Sequence, residues 1–499
     1  MRRDVSRFEN RTFDLLVIGG GINGAAIAHL AAAAGASVAL IEKNDWASGA
    51  SSATTKLLHG GIRYLEQFEL GLVRESLRER FIQLAIAPHL ARSMGFVIPV
   101  YRTDTRPLWL MTLGVWIYQV LSGRWSLGKH RGLTRQEIEQ RAPGIAREGL
   151  IGGVAYFDAQ MNDARICLEN VLMADHFGAV VANGVQAEAF IRSHGTVIGV
   201  QARDTCSNRS LEIRAARTVV AAGPWSDELI QKDLPGAPRR LRVTKGVHVI
   251  YDMPAPPQAF LLPSRQDNRV FFMIPFQGRT LIGTTDTDYT GSPDQVAAEE
   301  EDIHYLLREA SRVFPEVTFE RSRIIASFAG LRPLVVNAGN PSCISRQHAL
   351  DRSASGVYFV MGGKYTTYRH IAEKVVQKVL PHLAHRVLPW HQFRLYGSGT
   401  SAHSAQALAS QYGVSEETVR YLLSFYGSRA ADVLELTLRD VTLKQAICSC
   451  SPAIAAQASY ARDVEMARSA RDILERRLGL SYLRCADGAC RRKIEALFA

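Results

Sequence analysis

The residues with the clearest chemical purpose stand near the start of the chain, where the strand-like stretch Phe13-Asp14-Leu15-Leu16-Val17-Ile18 leads straight into Gly19-Gly20-Gly21-Ile22-Asn23-Gly24. Each glycine of such a G-x-G-x-x-G turn has its own role. Gly19 permits the tight turn, Gly21 lets the backbone approach a pyrophosphate, and Gly24 allows the following helix to pack closely on the strand. The N-terminus of that helix stabilises phosphate charge. Glu42, at the end of the next apolar run, can accept hydrogen bonds from ribose hydroxyls and would repel a 2′-phosphate. Glycine triplets recur by chance, but a strand, turn, helix, strand and acid in this order predict dinucleotide binding. The motif alone does not separate FAD from NAD.

The elements that must position these groups can be read from periodicity. Phe13–Ile18 and Ser37–Ile41 are buried strands flanking an alanine-rich helix that ends at Ala34 with Gly35 as its cap, a βαβ opening. Arg217–Ala222 is another apolar strand, ending in the turn Gly223-Pro224-Trp225. It lies too far along the chain for the same βαβ unit, and a return to the nucleotide domain after an insertion is typical of flavoproteins. Val73, Leu77, Phe81 and Leu84 make one side of an amphipathic helix. Leu108–Leu121 is apolar, preceded by Arg102 and Arg106 and followed by Arg124, Lys129, His130 and Arg131, which suits either an anionic membrane surface or a buried helix of a substrate domain. Val270–Pro275 and Arg279–Gly283 read as a hairpin within a mixed sheet, and Pro389 with Gly397-Ser398-Gly399 marks a linker into a helical tail.

Further along, several segments in fixed order resemble the FAD-dependent, quinone-linked glycerol-3-phosphate dehydrogenases: Ser51-Ser52-Ala53-Thr54-Thr55-Lys56-Leu57-Leu58-His59-Gly60-Gly61-Ile62-Arg63-Tyr64, Lys245-Gly246-Val247-His248-Val249, Ile282-Gly283-Thr284-Thr285-Asp286, Gly330-Leu331-Arg332-Pro333-Leu334 and Gly362-Gly363-Lys364-Tyr365-Thr366-Thr367. Tyr426–Arg429, Glu465-Met466-Ala467 and Asp472–Arg477 resemble that family's helical tail. Thr54-Thr55 stands where a serine pair is commonest, and Tyr365 where a leucine is, changes that remove neither a hydroxyl nor a cation.

The resemblance implies an α/β fold: a discontinuous Rossmann-like FAD-binding domain (residues 10–75, 155–235 and 335–385), a mixed-sheet substrate cap (76–154 and 236–334) and an all-helical C-terminal domain (400–499). It implies oxidation of sn-glycerol 3-phosphate to dihydroxyacetone phosphate by hydride transfer to FAD, with electrons passed to membrane quinone, in glycerol catabolism. The rivals are a glycerol-3-phosphate oxidase using oxygen and a related amine or amino-acid oxidase. A phosphate dianion needs fixed cations, and Arg63, Arg332 and Lys364 lie in glycine-bearing or turn-like segments suited to presenting them. The hydroxyl proton needs an acceptor, for which His248 is preferred over His59; the resemblance places both histidines beside substrate, with Tyr64 donating to phosphate. Gly19, Gly21, Gly24 and Glu42 are expected to hold the ADP half, Ser51, Ser52 and Lys56 to line the loop toward the flavin, and Gly223 and Trp225 to close over it. Gly363, Lys364, Thr366 and Thr367 return the chain to the flavin edge, where Lys364 and backbone N–H groups stabilise negative charge.

The tail adds Cys448-x-Cys450 and Cys485-x4-Cys490, a spacing that resembles small [2Fe-2S] domains on related oxidoreductases. The rest of the tail matches the cluster-free dehydrogenases, so no metal is assigned and packing or chance retention is the favoured reading, with a [2Fe-2S] cluster on these four cysteines left as the open alternative. In bulk, the 499 residues are 47% hydrophobic and carry a net charge of +11, which excludes a disordered chain and suits anionic partners. No motif directs that charge to nucleic acid. Seven scattered cysteines point to a reducing compartment rather than a disulfide scaffold. With no signal segment and no apolar run of spanning length, the expected location is cytoplasmic, peripheral on the inner face of the cytoplasmic membrane, with a homo-oligomer allowed.

Overall fold

A computed structural model describes residues 1–264, 266–267, 269–336, 348–399, 404–485 and 488–498. The opening βαβ unit forms as its pattern dictates: β1 (Thr12–Ile18), α1 (Ile22–Ala33) and β2 (Val38–Glu42). β1 pairs in parallel with β2, from Leu15 opposite Val38 to Ile18 opposite Ile41. The chain then crosses to a second sheet through β3 (Leu57–Leu58), α2 (Leu70–Ile86), β4 (Ala91–Tyr101), α3 (Leu108–Ser122), β5 (Arg131–Thr134), α4 (Arg135–Arg141) and β6 (Leu150–Met161). It returns by α5 (Asp163–His176) and β7 (Val180–Asn183), then runs through a meander of β8 (Val185–Ser193), β9 (Thr196–Asp204) and β10 (Arg209–Val220). After α6 (Ser226–Asp233), the second sheet is completed by β11 (Leu241–Pro254), β12 (Ala259–Pro263), β13 (Val270–Phe276), β14 (Arg279–Gly283), β15 (Thr287–Asp288), the crossing helix α7 (Glu300–Val313) and β16 (Ile324–Val335). β17 (His348–Arg352), β18 (Tyr358–Gly362) and α8 (Tyr368–Val379) close the first sheet.

The first sheet has the order β17-β18-β10-β1-β2-β7, with β9 on β10 and β8 on β9. β18, β10, β1, β2 and β7 run parallel, and where they pair at the sheet's centre, as in Leu15–Ile18, Val38–Ile41 and Val219–Val220, they are buried on both faces and read as continuous apolar runs. Leu15, Val17, Leu40 and Val219 pack beneath α1, α5 and α8. Leu16, Ile18, Ile41 and Val220 turn to the other face, under the meander. The second sheet, β15-β11-β14-β13-β12-β4-β6-β3 with β16 on β11 and β5 on β6, is mixed, since β12 meets β4 in parallel while the other pairs are antiparallel. Leu57–Leu58, expected in the nucleotide part, pair instead with β6 of this second sheet, and β6 stays in it as far as Met161. The expected hairpin is formed by β13 and β14, closing at Phe276 opposite Arg279.

The tail is helical: α9 (Ala405–Tyr412), α10 (Glu416–Tyr426), α11 (Ala430–Arg439), α12 (Ala455–Asp463), a wide turn at Asp472–Arg477 and α13 (Ala489–Glu495). It is tied to the nucleotide sheet by buried charge. Arg476 and Arg477 both bond Asp45 just after β2, each with a contact of 2.7 Å, and Arg165 of α5 bonds Glu465 at 2.6 Å. Buried ions must be paired, which accounts for Glu465, Arg476 and Arg477 standing among the tail's recognisable residues.

Candidate active site

The two sheets and the loop from Ser48 to Phe68 enclose a cavity of ≈ 1380 Å³, larger than a single small ligand needs. Its nucleotide end is built from glycine sterics. Gly19 has φ +116°, and a β-carbon there would lie 2.5 Å from the Ala221 carbonyl oxygen. At Gly24 a β-carbon would lie 1.9 Å from the carbonyl oxygen of Gly19, so this glycine lets α1 pack and does not itself line the cavity. Ser51 Oγ accepts from the Ile22 N–H at 2.9 Å, beside Gly21. Glu42 accepts from the Gly20 and Asn44 amides at 2.7 and 2.8 Å. Burial pushes its carboxyl upward against those two bonds. Each carboxylate oxygen keeps a second lone pair for a ribose hydroxyl. Asn23 Oδ1, also on the lining, is buried without a hydrogen-bond partner among the described residues.

Gly24→Ala is accordingly expected to cost at least about 1–3 kcal/mol of stability and to yield protein depleted in flavin. Melting temperature and the ratio of 450 to 280 nm absorbance check this; a variant with wild-type values of both would contradict the packing argument.

Two residues expected on the lining are placed elsewhere. Lys56 is 3% exposed, and its Nζ bonds Asp163 at 2.8 and 3.0 Å and the Ser52 carbonyl at 2.6 Å. Burial opposes the ammonium, but the Asp163 carboxylate outweighs it and holds the group above its ordinary value. Thr54 Oγ1 donates to the same carboxylate at 2.7 Å. A buried cation requires its anion, so Lys56 and Ser52 brace the loop from behind rather than facing the cavity.

The opposite wall comes from the antiparallel ladder of β11 and β16, in which His248 stands opposite Phe328 and Thr244 opposite Arg332. Residues four apart on a strand share a face, so Phe328 and Arg332 are presented together. His248 is 2% exposed; its Nε2 shares a hydrogen bond of 3.0 Å with Thr55 Oγ1, and its ring stacks on Phe328 at 4.9 Å. Burial, then the cations of Arg332 and Lys56, hold the imidazole well below its ordinary value, so it is neutral. Arg332 is aimed by Asp286 at 3.0 Å and Thr284 Oγ1 at 2.8 Å. Gly246 gives it room, since a β-carbon there would lie 2.3 Å from Nη2.

A second cationic group faces this one. Lys364 Nζ lies 3.8 Å over the Tyr64 ring and 3.2 Å from Ser76 Oγ, and the Arg63 guanidinium is 5.7 Å from the same ring. Tyr64 is 2% exposed and its hydroxyl has no partner among the described residues. The His59 N–H donates to Thr366 Oγ1 at 3.2 Å, joining the two loops. Gly363 (φ +88°) makes the turn; Thr367 Oγ1 donates to the Lys364 carbonyl at 3.3 Å and stays behind the lining. Gly223 (φ +53°) and Trp225 border the cavity, the indole Nε1 donating to Asp294 at 3.1 Å.

The structure thus brings Gly19, Gly21, Glu42, Ser51, His59, Arg63, Tyr64, Gly223, Trp225, His248, Arg332, Gly363, Lys364 and Thr366 around one space, with Gly24, Ser52, Lys56 and Thr367 in support. Sequence reasoning missed the partners that aim the key groups. Thr55 and Thr284-Thr285-Asp286 stand out in the sequence only as parts of motifs, and nothing in the local pattern marks Phe328 as the ring beneath His248. It also missed Asp158, a buried acid that accepts from the Gly60 N–H at 3.1 Å, Tyr118 at 2.8 Å and Arg80 at 2.7 Å, and so holds the His59-Gly60 loop.

The glycine cradle, the buried unpartnered Asn23 oxygen and the size of the cavity all fit a flavin dinucleotide. Comparison with known proteins agrees. Residues 14–373 match the family described as FAD dependent oxidoreductase, and residues 390–497 match the C-terminal domain of alpha-glycerophosphate oxidase. The chain is 37% identical to a glycerol-3-phosphate dehydrogenase of Synechocystis sp. over 96% of its own length and 91% of the relative's. It is 33% identical to an alpha-glycerophosphate oxidase of Streptococcus pyogenes over 95% of its length and 89% of that protein's. Among solved structures, the glycerol-3-phosphate dehydrogenase of Bacillus halodurans, complexed with FAD, superposes with a TM-score of 0.81 at 29% identity, covering 99% of this chain and 92% of that one. With its α/β fold and helical tail, this chain belongs to the FAD-dependent glycerol-3-phosphate dehydrogenase and oxidase family, and FAD is its cofactor.

Proposed function

We propose that the protein oxidises sn-glycerol 3-phosphate to dihydroxyacetone phosphate at the inner face of the cytoplasmic membrane, in glycerol catabolism, and delivers the electrons to membrane quinone. The observation that carries the substrate reading is a neutral, buried His248 set in the same cavity as Arg332, Lys364 and Arg63. The cations bind the phosphate dianion, Arg332 through its fork and Lys364 as a point charge. Tyr64 donates its hydroxyl to a phosphate oxygen. The Nε2 lone pair of the neutral ring, which accepts from the Thr55 hydroxyl before substrate binds, is the one that takes the C2 hydroxyl proton once that hydroxyl replaces Thr55 as the donor. Bound FAD supplies the two-electron acceptor for C2. Full bleaching of the 450 nm flavin band by glycerol 3-phosphate, and none by equimolar glycerol, is expected; equal bleaching by both would remove the phosphate from the reading.

The quinone reading is supported by α3. Trp109, Leu113, Trp116 and Val120 are 68%, 43%, 61% and 58% exposed, along one side of the helix, while Val115 and Tyr118 anchor its other side. Of the two readings open for this segment, the buried helix describes only that anchored side. Trp and Leu on one face, with basic residues at both ends, suit an interfacial helix, and no helix among the described residues is long and apolar enough to cross a membrane. Leu110, Leu113, Gly114 and Ile117 also border the cavity, so an apolar acceptor has a path to the flavin site from the membrane. Trp109→Gln/Trp116→Gln is expected to release the protein from anionic vesicles in a flotation assay and to lower turnover with vesicle-borne quinone, while activity with a soluble dye is kept. Unchanged flotation would sink the membrane assignment. Stoichiometric peroxide without added quinone would favour the oxygen-using alternative, which the streptococcal relatives' name supports.

A further inference from the structure

Away from the cavity, three separate stretches of the tail bring four thiols together. Cys448 and Cys450 lie just before α12, Cys485 follows the turn Leu480–Tyr482, and Cys490 is on α13. All four sulfurs lie within 4.8 Å of one another. Packing alone does not account for this, because a buried cysteine used as a small apolar group has no reason to seek other cysteines. A disulfide accounts for half of it: Cys448 and Cys490 are bonded in the structure, their Cα atoms 5.3 Å apart. Yet Cys450 Sγ stands 2.7 Å from Cys448 Sγ and 3.2 Å from Cys490 Sγ, with Cys485 in the same group. A tetrahedral ion with metal–sulfur bonds of about 2.3 Å holds four sulfurs roughly 3.8 Å apart, the scale of this cluster.

The geometry points to a tetrathiolate metal centre formed by Cys448, Cys450, Cys485 and Cys490, against the favoured reading of packing or chance retention. Its ligand is a soft metal; a single zinc ion and a small iron–sulfur cluster share this thiolate chemistry. The four thiols bind as thiolates, so loading zinc releases four protons, and a chain isolated with the Cys448–Cys490 disulfide must first take two electrons and two protons from a dithiol reductant. The surroundings suit such a staple. Arg491, Arg492 and Lys493 follow Cys490 directly and favour an anionic centre. The centre also has a reach into the active site, because Tyr482, three residues before Cys485, packs 5.8 Å from the Phe328 ring that supports His248.

The test is metal analysis of the FAD-loaded 499-residue chain, purified without oxygen in the presence of a dithiol reductant from cells supplied with iron and zinc. About one zinc, or about two irons with acid-labile sulfide, is expected per chain; a colourless centre or visible charge-transfer bands beyond the flavin's separate the two. Cys450→Ser/Cys485→Ser is expected to lose that metal, and Cys206→Ser, an exposed cysteine outside the cluster, to keep it. If the double variant fails to fold, chelation of the wild-type chain still decides, since removing the metal should lower the melting temperature and expose four additional alkylatable thiols. The proposal is overturned if the purified chain carries neither metal and the reduced chain takes up no added Zn²⁺. It is equally overturned if the double variant retains the full metal content, or if chelation changes neither melting nor the thiol count.

Discussion

Replacing Arg332 by alanine is expected to lower kcat/KM for glycerol 3-phosphate by about 10²–10³ or more, from the roughly 2–5 kcal/mol lost when one member of a desolvated charge pair is removed. Most of the loss should fall on KM, because the phosphate is held equally before and during the chemical step. The guanidinium is rigidly aimed: Asp286, Thr284 and the Thr285 carbonyl accept its hydrogen bonds, and Gly246 leaves space that any side chain would fill. A dianion arriving there meets a charge already fixed in place. Arg332→Lys should recover only part of the loss, since an ammonium keeps the charge without the fork. Steady-state kinetics with glycerol 3-phosphate and glycerol provide the check; the variant should discriminate between them far less than the wild type. Near-normal turnover of glycerol 3-phosphate would end the phosphate assignment.

The second large effect is expected at His248. His248→Asn should reduce kcat by about 10²–10⁴ while flavin content stays near that of the wild type, because the imidazole acts on the hydroxyl proton and not on cofactor retention. His59→Gln is the necessary comparison. If the larger fall in kcat appears there, the proton acceptor is His59. The pH dependence supplies an independent reading. With its proton affinity depressed by burial and by the Arg332 and Lys56 cations, His248 stays unprotonated below its ordinary range, so the acid limb of kcat, which does not report the free substrate's phosphate, should lie well under pH 6.5. A limb at or above pH 6.5 would contradict the assignment. The same shift has a stability consequence with a definite sign. In the unfolded chain the imidazole takes a proton near pH 6.5, in the folded chain it does not, so this contribution is present above about pH 6.5 and is lost as the pH falls below it.

How much of this was legible beforehand depends on how far apart the cooperating atoms lie in the chain. The nucleotide cradle could be read almost completely, because its requirements are local: Gly24 must be glycine owing to a carbonyl a few residues before it, and Leu15–Ile18 of β1 and Val38–Ile41 of β2 are unbroken apolar runs because a parallel strand is buried on both faces. The hairpin of β13 and β14 and the helical tail belong to the same class, set by turn chemistry and short-range periodicity. Lys56 shows the limit. Its neighbours place it in the cofactor loop, yet Asp163, more than a hundred residues on, turns its ammonium inward. The α3 segment shows another, since apolar periodicity identifies a helix but not which of its sides another element will cover.

A dinucleotide-binding βαβ unit, and the cations and histidines worth weighing, are legible in residue types and motifs alone, since steric and hydrogen-bond demands within a few residues are written directly in them. Which of these residues meet is settled by the folded chain. Thr55 reaches His248 across 193 residues of chain, Arg332 joins them through the register of two strands, and four cysteines from three stretches of the tail converge on one another. Such meetings depend on sheet pairing and core packing, whose energies are summed over the whole fold and leave no local trace in the sequence.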